Sequence, residues 1–411
     1  NSSLNQLRQL PMQAFSLHNF SGRYSSFNPH WLTLGNALTT KGLGNNEEKE
    51  KHHNISYKPL AITDTVINLS MGELLNFYQH PAKYFAKKRL NLLLDQEQVE
   101  LNDVEPFAPD RLASYLFNQD VLAQHLSNDV TPLNTRLAST IAFAQASGKF
   151  PELPTMDDEY QQWLNNSEAL ANAINNDKAA NVDDVKYVHG QVTLTVTIPS
   201  ISLTQEPEKE PTNAITTAAI TALEQTGQQI TIILHYQLPL QGQQCVFYRS
   251  SSAKIKDKLQ LYLSQLLLQH SVSNPLQHSV NDTDEALAQV ISSVKSTKGY
   301  YFNTKNQKVE LLQCQQLTDV EQHLTVLLSG YLLGLQQPVL FNGSIAEEVL
   351  NKKGEGQANL ENAWQDNNTF GLNSDSYMHY FWPECPKLST FIDDLSAIYL
   401  PLFTQLQQVK L

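Results

Sequence analysis

Residues 185–198 read VKYVHGQVTLTVTI, a run that alternates apolar with polar side chains and is rich in β-branched residues. A period of two with this composition predicts a strand. Two more strands are expected downstream, at Ile230–Leu238 (ITIILHYQL) and Gln244–Tyr248 (QCVFY). The intervening PLQGQ carries Pro239 and Gly242 as a hairpin turn signal. Helical patterns lie on both sides of this group. Helices, then a compact set of strands, then helices predict an α/β (α+β) domain with a central mixed sheet flanked by helices.

Working upstream, Ser70 followed by Glu73 makes a capping box, and Leu74, Leu75, Phe77 and Tyr78 supply the apolar face of a helix. Pro81 interrupts it, and a second helix is expected from about Ala82 to Leu94. Further helices are expected at 110–126, 133–148 and 157–176, with Asp110 and Thr131 as candidate caps. After the strands, helices are expected at about 253–270, 283–296, 318–335 and 388–408. Residues 1–40 hold scattered aromatics (Phe15, Phe20, Tyr24, Phe27, Trp31) and read as an extended arm. Residues 41–57, KGLGNNEEKEKHHNISY, read as a solvated linker. Its His52–His53 pair could bind metal, but a linker accounts for it more simply. The expected organisation is an arm and linker at 1–60 and one domain at 61–411, with a Pro/Glu/Lys-rich loop at 205–212. The chain begins Asn1-Ser2-Ser3 without a methionine, so a fragment of a longer protein is expected.

The 411 residues are 41% hydrophobic and 17% charged, which suits a globular protein with a real core. The formal net charge is -13. A free-standing nucleic-acid binder is usually basic, because it must replace the counterions around phosphate. The balance therefore favours a protein partner, with DNA contact through a local basic strip or as one wall of an assembly. The three cysteines, Cys245, Cys314 and Cys385, are too far apart in sequence to suggest a zinc or iron–sulfur ligand pair. Their sparse, odd number fits a reducing cytoplasm. No signal peptide is visible and no apolar run approaches the roughly 20 residues of a membrane span, so a cytoplasmic protein without membrane contact is expected.

Motifs that carry chemistry are scarce. There is no phosphate-binding glycine loop, and Gly354-Glu355-Gly356 reads as a surface loop. There is no G-x-S-x-G elbow and no H-E-x-x-H helix. Asp157, Asp158 and Glu159, and likewise Asp393 and Asp394, read as solvated helix starts near the positive dipole end. His235 sits mid-strand and reads as a core or edge residue. Residue types alone show no active site.

Several stretches, in order, resemble a known family. MGELLNFYQHPAKYFAKKRLNLLL (71–94) resembles the "L..F...P..YF...RL" helix pair that opens the nuclease domain in the RecB, AddAB and RecC families. ELNDVEPFAPDRLASYLFNQDVL (100–122) is similar to the "DEEPF..d.L..Y.l...ll" stretch of the RecC family. QAFSLHNFSGRYSSFNPHWL (13–32) resembles the segment that precedes this domain there, and FYRSSSAKIKDKLQLYLSQLLL (247–268) resembles "yRp.klk.kd.l..wi..L". FIDDLSAIYLPLF (391–403) is a weaker match.

The resemblance implies a degenerate PD-(D/E)XK nuclease-like domain without activity. Active relatives place Gly-x-Ile-Asp on one strand and Asp-Tyr-Lys on a later strand followed by a helix. The aspartates bind magnesium and the lysine stabilises charge. Aligned so, Gly190-Gln191-Val192-Thr193 puts Thr193 at the first aspartate, and Phe247-Tyr248-Arg249 puts Phe247 at the second and Arg249 at the lysine. Phenylalanine cannot ligate magnesium, and a threonine oxygen is a poor ligand for a hard dication. The 203–228 insertion leaves a second register open, with His235-Tyr236-Gln237 at Asp-Tyr-Lys; it too lacks the carboxylate and the lysine. AddB-type relatives carry a cluster cysteine where His80 stands, so neither metal nor iron–sulfur cofactor is expected.

The function so implied is that of a non-catalytic structural and DNA-guiding domain in a RecBCD-type helicase–nuclease. Its partners would be RecB-like and RecD-like subunits and DNA, in double-strand-break repair and Chi-regulated recombination. Arg249, Lys254, Lys256 and Lys258 are the candidate DNA-binding residues, although a basic helix start is equally a solvated face. The rival readings are a protein-interaction scaffold without DNA contact and an active nuclease of the same fold.

Overall fold

A computed structural model describes residues 16–20, 31–34, 36, 59–94, 108–151, 153–177, 185–198, 228–241, 244–273, 294, 296–352, 354–365 and 371–409. The chain divides into Asn1–Ser56 and Tyr57–Leu411. In the first unit, Leu17–Phe20 forms a 3-10 turn and 31–34 are helical. The expected linker with His52–His53, the 205–212 loop and most of the expected 283–296 helix lie outside the described residues.

In the second unit, β3 (Gln229–Gln241) is the spine of a seven-stranded mixed sheet. Its even-numbered residues, Ile230 to Leu240, are buried and its odd ones from Gln229 to Pro239 are exposed or half-buried, as the period of two requires. One edge of β3 pairs antiparallel with the whole of β2 (Val185–Thr197), from Val185↔Gln241 to Thr197↔Gln229. Along the other edge, β1 (Val66–Ser70) pairs parallel with Thr231–His235, and β4 (Gln244–Arg249) pairs antiparallel only at Leu240↔Cys245 and Gln241↔Gln244. Then β4 leaves β3 and runs parallel to β5 (Ser296–Asn303). Antiparallel β6 (Lys308–Cys314) and β7 (Leu406–Val409) complete the sheet.

Helices cover both faces. The main core holds α1 (Met71–Gln79), α2 (Pro81–Arg89), α6 (Ile255–Ser273), α7 (Val320–Gln336) and α11 (Ile392–Gln405). The opposite face packs Val246, Tyr300 and Phe302 against Leu122 of α3 (Arg111–Leu126) and Leu170 and Ile174 of α5 (Thr155–Asn176). A further cluster, including Phe117, Phe150 and Tyr160, joins α3 and α5 to α4 (Leu133–Ala146). Short helices α8 (Gly343–Ala346, continuing into a π turn at Glu347–Asn351), α9 (Gly356–Trp364) and α10 (Ser376–Phe381) lie between α7 and α11 in sequence.

Local chemistry fixes the first helix pair. Ser70 Oγ accepts the Glu73 N–H at 3.1 Å and starts α1. His80 Nδ1 accepts the Lys83 N–H at 3.1 Å and starts α2, with Pro81 in its first turn. Tyr78 donates to the Leu327 carbonyl of α7 at 2.5 Å. Gly330 and Gly334 of α7 make room for Tyr78 and Phe77: a Cβ on Gly330 would lie 2.7 Å from the Tyr78 hydroxyl, and one on Gly334 would enter the Phe77 ring.

Several expectations change. Pro239 lies inside β3, opposite Tyr187, and the β3–β4 pairing reaches Gln241↔Gln244, with 242–243 outside the described residues. Proline is tolerated there because that edge of β3 has no described neighbour between His235 and Leu240. Asp110 precedes α3 without a side-chain cap bond, and Pro132, not Thr131, precedes α4. Ser296 opens β5 rather than closing a helix. The expected 388–408 helix stops at Gln405, and the chain turns into β7 to pair with β6. Asp394 is 1% exposed, not solvated, whereas Asp393 is exposed as expected.

Gly334→Ala is expected to destabilise. Alanine favours a helix by about 1 kcal/mol over glycine, but the methyl must displace the buried Phe77 ring, an overpacking cost of about 1–3 kcal/mol or more. Gly72→Ala, with open space around its Cβ, is expected to be neutral or stabilising by up to about 1 kcal/mol. Urea denaturation of both variants checks the contrast; equal midpoints would refute the close packing of α1 on α7.

Candidate nucleic-acid interface

Phe247 is on the β4 face that packs against the main core, as its neighbour Cys245 is. Thr193 pairs with Ile233, one of the outward residues of β3. Paired residues share a face and successive residues alternate, so Thr193 and Phe247 face opposite sides of the sheet, with β3 between their strands. The structure does not bring this pair together. In the second register, His235 is exposed, with Nε2 3.3 Å from Asn68 Oδ1, while Tyr236 points inward to Ser271 Oγ at 2.5 Å. Gly190 has a packing reason of its own: a Cβ there would enter the ring of Tyr236, its partner across the ladder.

Arg249 ends β4. Its Nη1 donates to Asp257 Oδ2 at 2.8 Å, and the two side chains are 22% and 15% exposed. The guanidinium also lies over the ring of Tyr115 on α3, 5.1 Å from its centre. Asp257 stands in the first turn of α6 and accepts the Lys254 N–H at 2.8 Å as well, tying the end of β4 to the start of the helix. Lys258 pairs with Glu347 at 2.5 Å, and Lys256 donates to Asn76 Oδ1 at 3.1 Å. Lys254 is exposed. Of the four expected DNA-binding cations, two are thus occupied by carboxylates, and Lys254 and Lys256 remain as the better placed for phosphate. The residues missed by sequence reasoning are the partners: Tyr115, Asp257 and Glu347. Only Asp257 left a signal, an acid in the first turn of a helix.

His80 links two helices. Its Nδ1 caps α2, so Nε2 carries the proton, 3.0 Å from Asp375 Oδ2. Asp375 Oδ1 accepts the Tyr377 and Met378 N–H groups at 3.0 and 2.9 Å, capping α10. Burial opposes ionisation of Asp375, but the hydrogen bond from His80 and the two amide donors outweigh it and hold the carboxyl below its usual range. The cysteines are free thiols. Burial pushes Cys245 up, Cys314 up to about 12 and, with the Glu361 charge, Cys385 up to about 11. Among the described residues no three His, Cys, Asp or Glu side chains gather as a metal-ligand group, and no helix is long and apolar enough to cross a membrane.

The family profile described as "RecC C-terminal domain" matches residues 67–354. Over 83 residues the chain is 29% identical to the RecBCD enzyme subunit RecC of Buchnera aphidicola subsp. Acyrthosiphon pisum (strain APS), a match covering 20% of this chain and 8% of that protein.

Arg249→Ala removes one half of a largely enclosed pair and is expected to cost about 1–3 kcal/mol, against at most about 0.5 kcal/mol for exposed Lys254→Ala. Equal unfolding midpoints for the two variants would show that Arg249 is not structural. A second expectation concerns pH. A carboxyl whose folded pKa is depressed contributes stability above its unfolded value and loses it as pH falls through the folded value. The stability gap between wild type and Asp375→Asn should therefore be constant near neutrality and close below about pH 4. A gap that persists to pH 2 would mean that the charge of Asp375 contributes nothing.

Proposed function

The chain belongs to the RecC C-terminal domain family, and from that premise we propose that it is the non-catalytic, structural and DNA-guiding domain of a RecC-like subunit in a cytoplasmic RecBCD-type helicase–nuclease. The family match over 67–354 carries this reading. The partners are RecB-like and RecD-like subunits and DNA, and the setting is double-strand-break repair with Chi-regulated recombination. The nuclease-like lineage is supported by the order of β4 and α6, a strand followed by a helix, as active relatives carry Asp-Tyr-Lys. Loss of catalysis is supported by the opposite facing of Thr193 and Phe247, the positions aligned with aspartates, which could not share one metal ion, and by the packing of Phe247 against apolar residues. Arg249 at the lysine position is committed to Asp257. DNA contact falls to Lys254 and Lys256.

A scaffold without DNA contact is the second reading. It is favoured by the pairing of Arg249 and Lys258 with carboxylates and by the net charge of -13.

The full subunit carrying Lys254→Gln and Lys256→Gln, assembled with its RecB-like and RecD-like partners, separates the two. On the DNA-guiding reading the complex assembles normally. Its salt dependence for single-stranded DNA becomes shallower by about 1.4 in log–log slope, the loss of two phosphate contacts. An unchanged slope hands the domain to the scaffold reading. Magnesium-dependent cutting of DNA by the 411-residue chain alone would overturn the claim of inactivity.

A further inference from the structure

A cavity of about 180 Å3 opens between α3, α5 and the β5–β6 turn, lined in part by Asn118, Gln162, Trp163, Asn166, Phe302 and Gln307. That is below the roughly 300–1,000 Å3 of pockets for drug-sized ligands, and leaves room for one ring system. No lining side chain is charged. Four amides offer carbonyl acceptors and NH2 donors side by side. Gln162 and Asn166 are four apart on α5, hence on one face, and neither side chain hydrogen-bonds to a described residue. Asn118 uses its NH2 on the Ser114 carbonyl at 2.7 Å, which leaves its carbonyl oxygen as an acceptor. Trp163 is half-buried, wedged by Phe117, Phe150 and Tyr160 with ring centres 5.4–6.1 Å away, so its ring is fixed before any ligand arrives.

We propose that this cavity takes a single nucleobase, held by the Gln162, Asn166 and Asn118 amides and by the Trp163 ring. A neutral amide wall reads a planar donor–acceptor edge, and Asn and Gln match the adenine edge bidentately. An aromatic wall accepts the π-face that every base has. A neutral sugar would use the same amides, but the rim favours a phosphorylated ligand. Lys305 and Lys308 are exposed on the turn that carries Gln307. Asp158 and Glu159, exposed one turn before Gln162 on α5, repel phosphate from that end of the helix. The base comes either from single-stranded DNA or from a free nucleotide. The first source deepens the DNA-guiding reading and rests on it.

The test uses the full chain at low salt, with oligo(dA), an abasic oligonucleotide of equal length, and dAMP. The variant is Gln162→Leu with Asn166→Leu, which replaces both amides by apolar groups; its fold is checked by its urea midpoint. Wild type is expected to bind oligo(dA) about 10-fold more tightly than the abasic strand, within the range of one stacked base. The variant should erase that preference without losing abasic binding. Binding of dAMP that quenches tryptophan fluorescence in wild type but not in the variant, with no preference for oligo(dA), supports the site and assigns it to free nucleotide. Equal binding of both strands by wild type, with no dAMP quenching, overturns the pocket but leaves the DNA-guiding reading standing. Failure to bind any strand or dAMP overturns the pocket and counts against that reading too.

Discussion

Tyr78 fills the gap that Gly330 leaves in α7, and its hydroxyl closes on the Leu327 carbonyl of the same helix. Phe77 does the same at Gly334 one turn on. The carbonyl of Tyr78 is in turn met by the Tyr399 hydroxyl of α11, which also reaches the Phe341 carbonyl at 2.9 Å. Three helices and the start of α8 are thus fixed by two buried phenols, each a large apolar ring with one hydrogen-bonding tip. Burial drives the pKa of both phenols up. Because α1 follows β1 without a linker, the same contact places the parallel strand β1 against β3. The edge of β3 left over beyond His235 is where β4 can join, and only at Leu240 and Gln241.

That brief pairing decides where β4 ends. Had it stayed on β3, Phe247 would lie opposite Leu238 on the continuing ladder. It parts from β3 after Cys245 while its other edge stays on β5 throughout, and Arg249 emerges within reach of Tyr115 on α3 and Asp257 on α6. Asp257 receives both the guanidinium and the Lys254 N–H, so the β4–α6 corner is closed by one carboxylate. A charge held in this way is worth more to the corner than to a passing phosphate, since it would first have to break a partly desolvated pair.

How much of this was legible follows from how each element is buried. β2 and β3 bury one face and show it as alternation, so both were readable, and the capping box announced α1 through the Ser70 hydroxyl. In β5 nearly every residue is buried, on both faces, and STKGYYFN therefore lacks a period. β7 continues a helix whose apolar pattern gives no warning of the break after Gln405. The site was less legible than the fold. Arg249 and Lys258 could be named from sequence, but Glu347 is 89 residues from Lys258 and Tyr115 precedes Arg249 by two helices, so their neutralisation is a tertiary fact. Opposite facing of Thr193 and Phe247 depends on the register of β2 and β4 against β3, which no local pattern encodes.

Net charge then sets what kind of nucleic-acid contact such a domain can make. At -13 the long-range field repels phosphate, and two carboxylates already sit among the four cations near α6. On the DNA-guiding reading a strand would have to be delivered to this domain rather than attracted by it. Once there, contacts that carry no charge lose nothing to that repulsion. An amide wall and a fixed tryptophan act at short range and are little affected by salt, whereas lysines on a turn are screened. The proposed division of labour follows: exposed lysines orient the backbone weakly, and neutral groups between α3, α5 and the β5–β6 turn hold a base. In an acidic protein, such contacts keep their strength at the ionic strength of a cell.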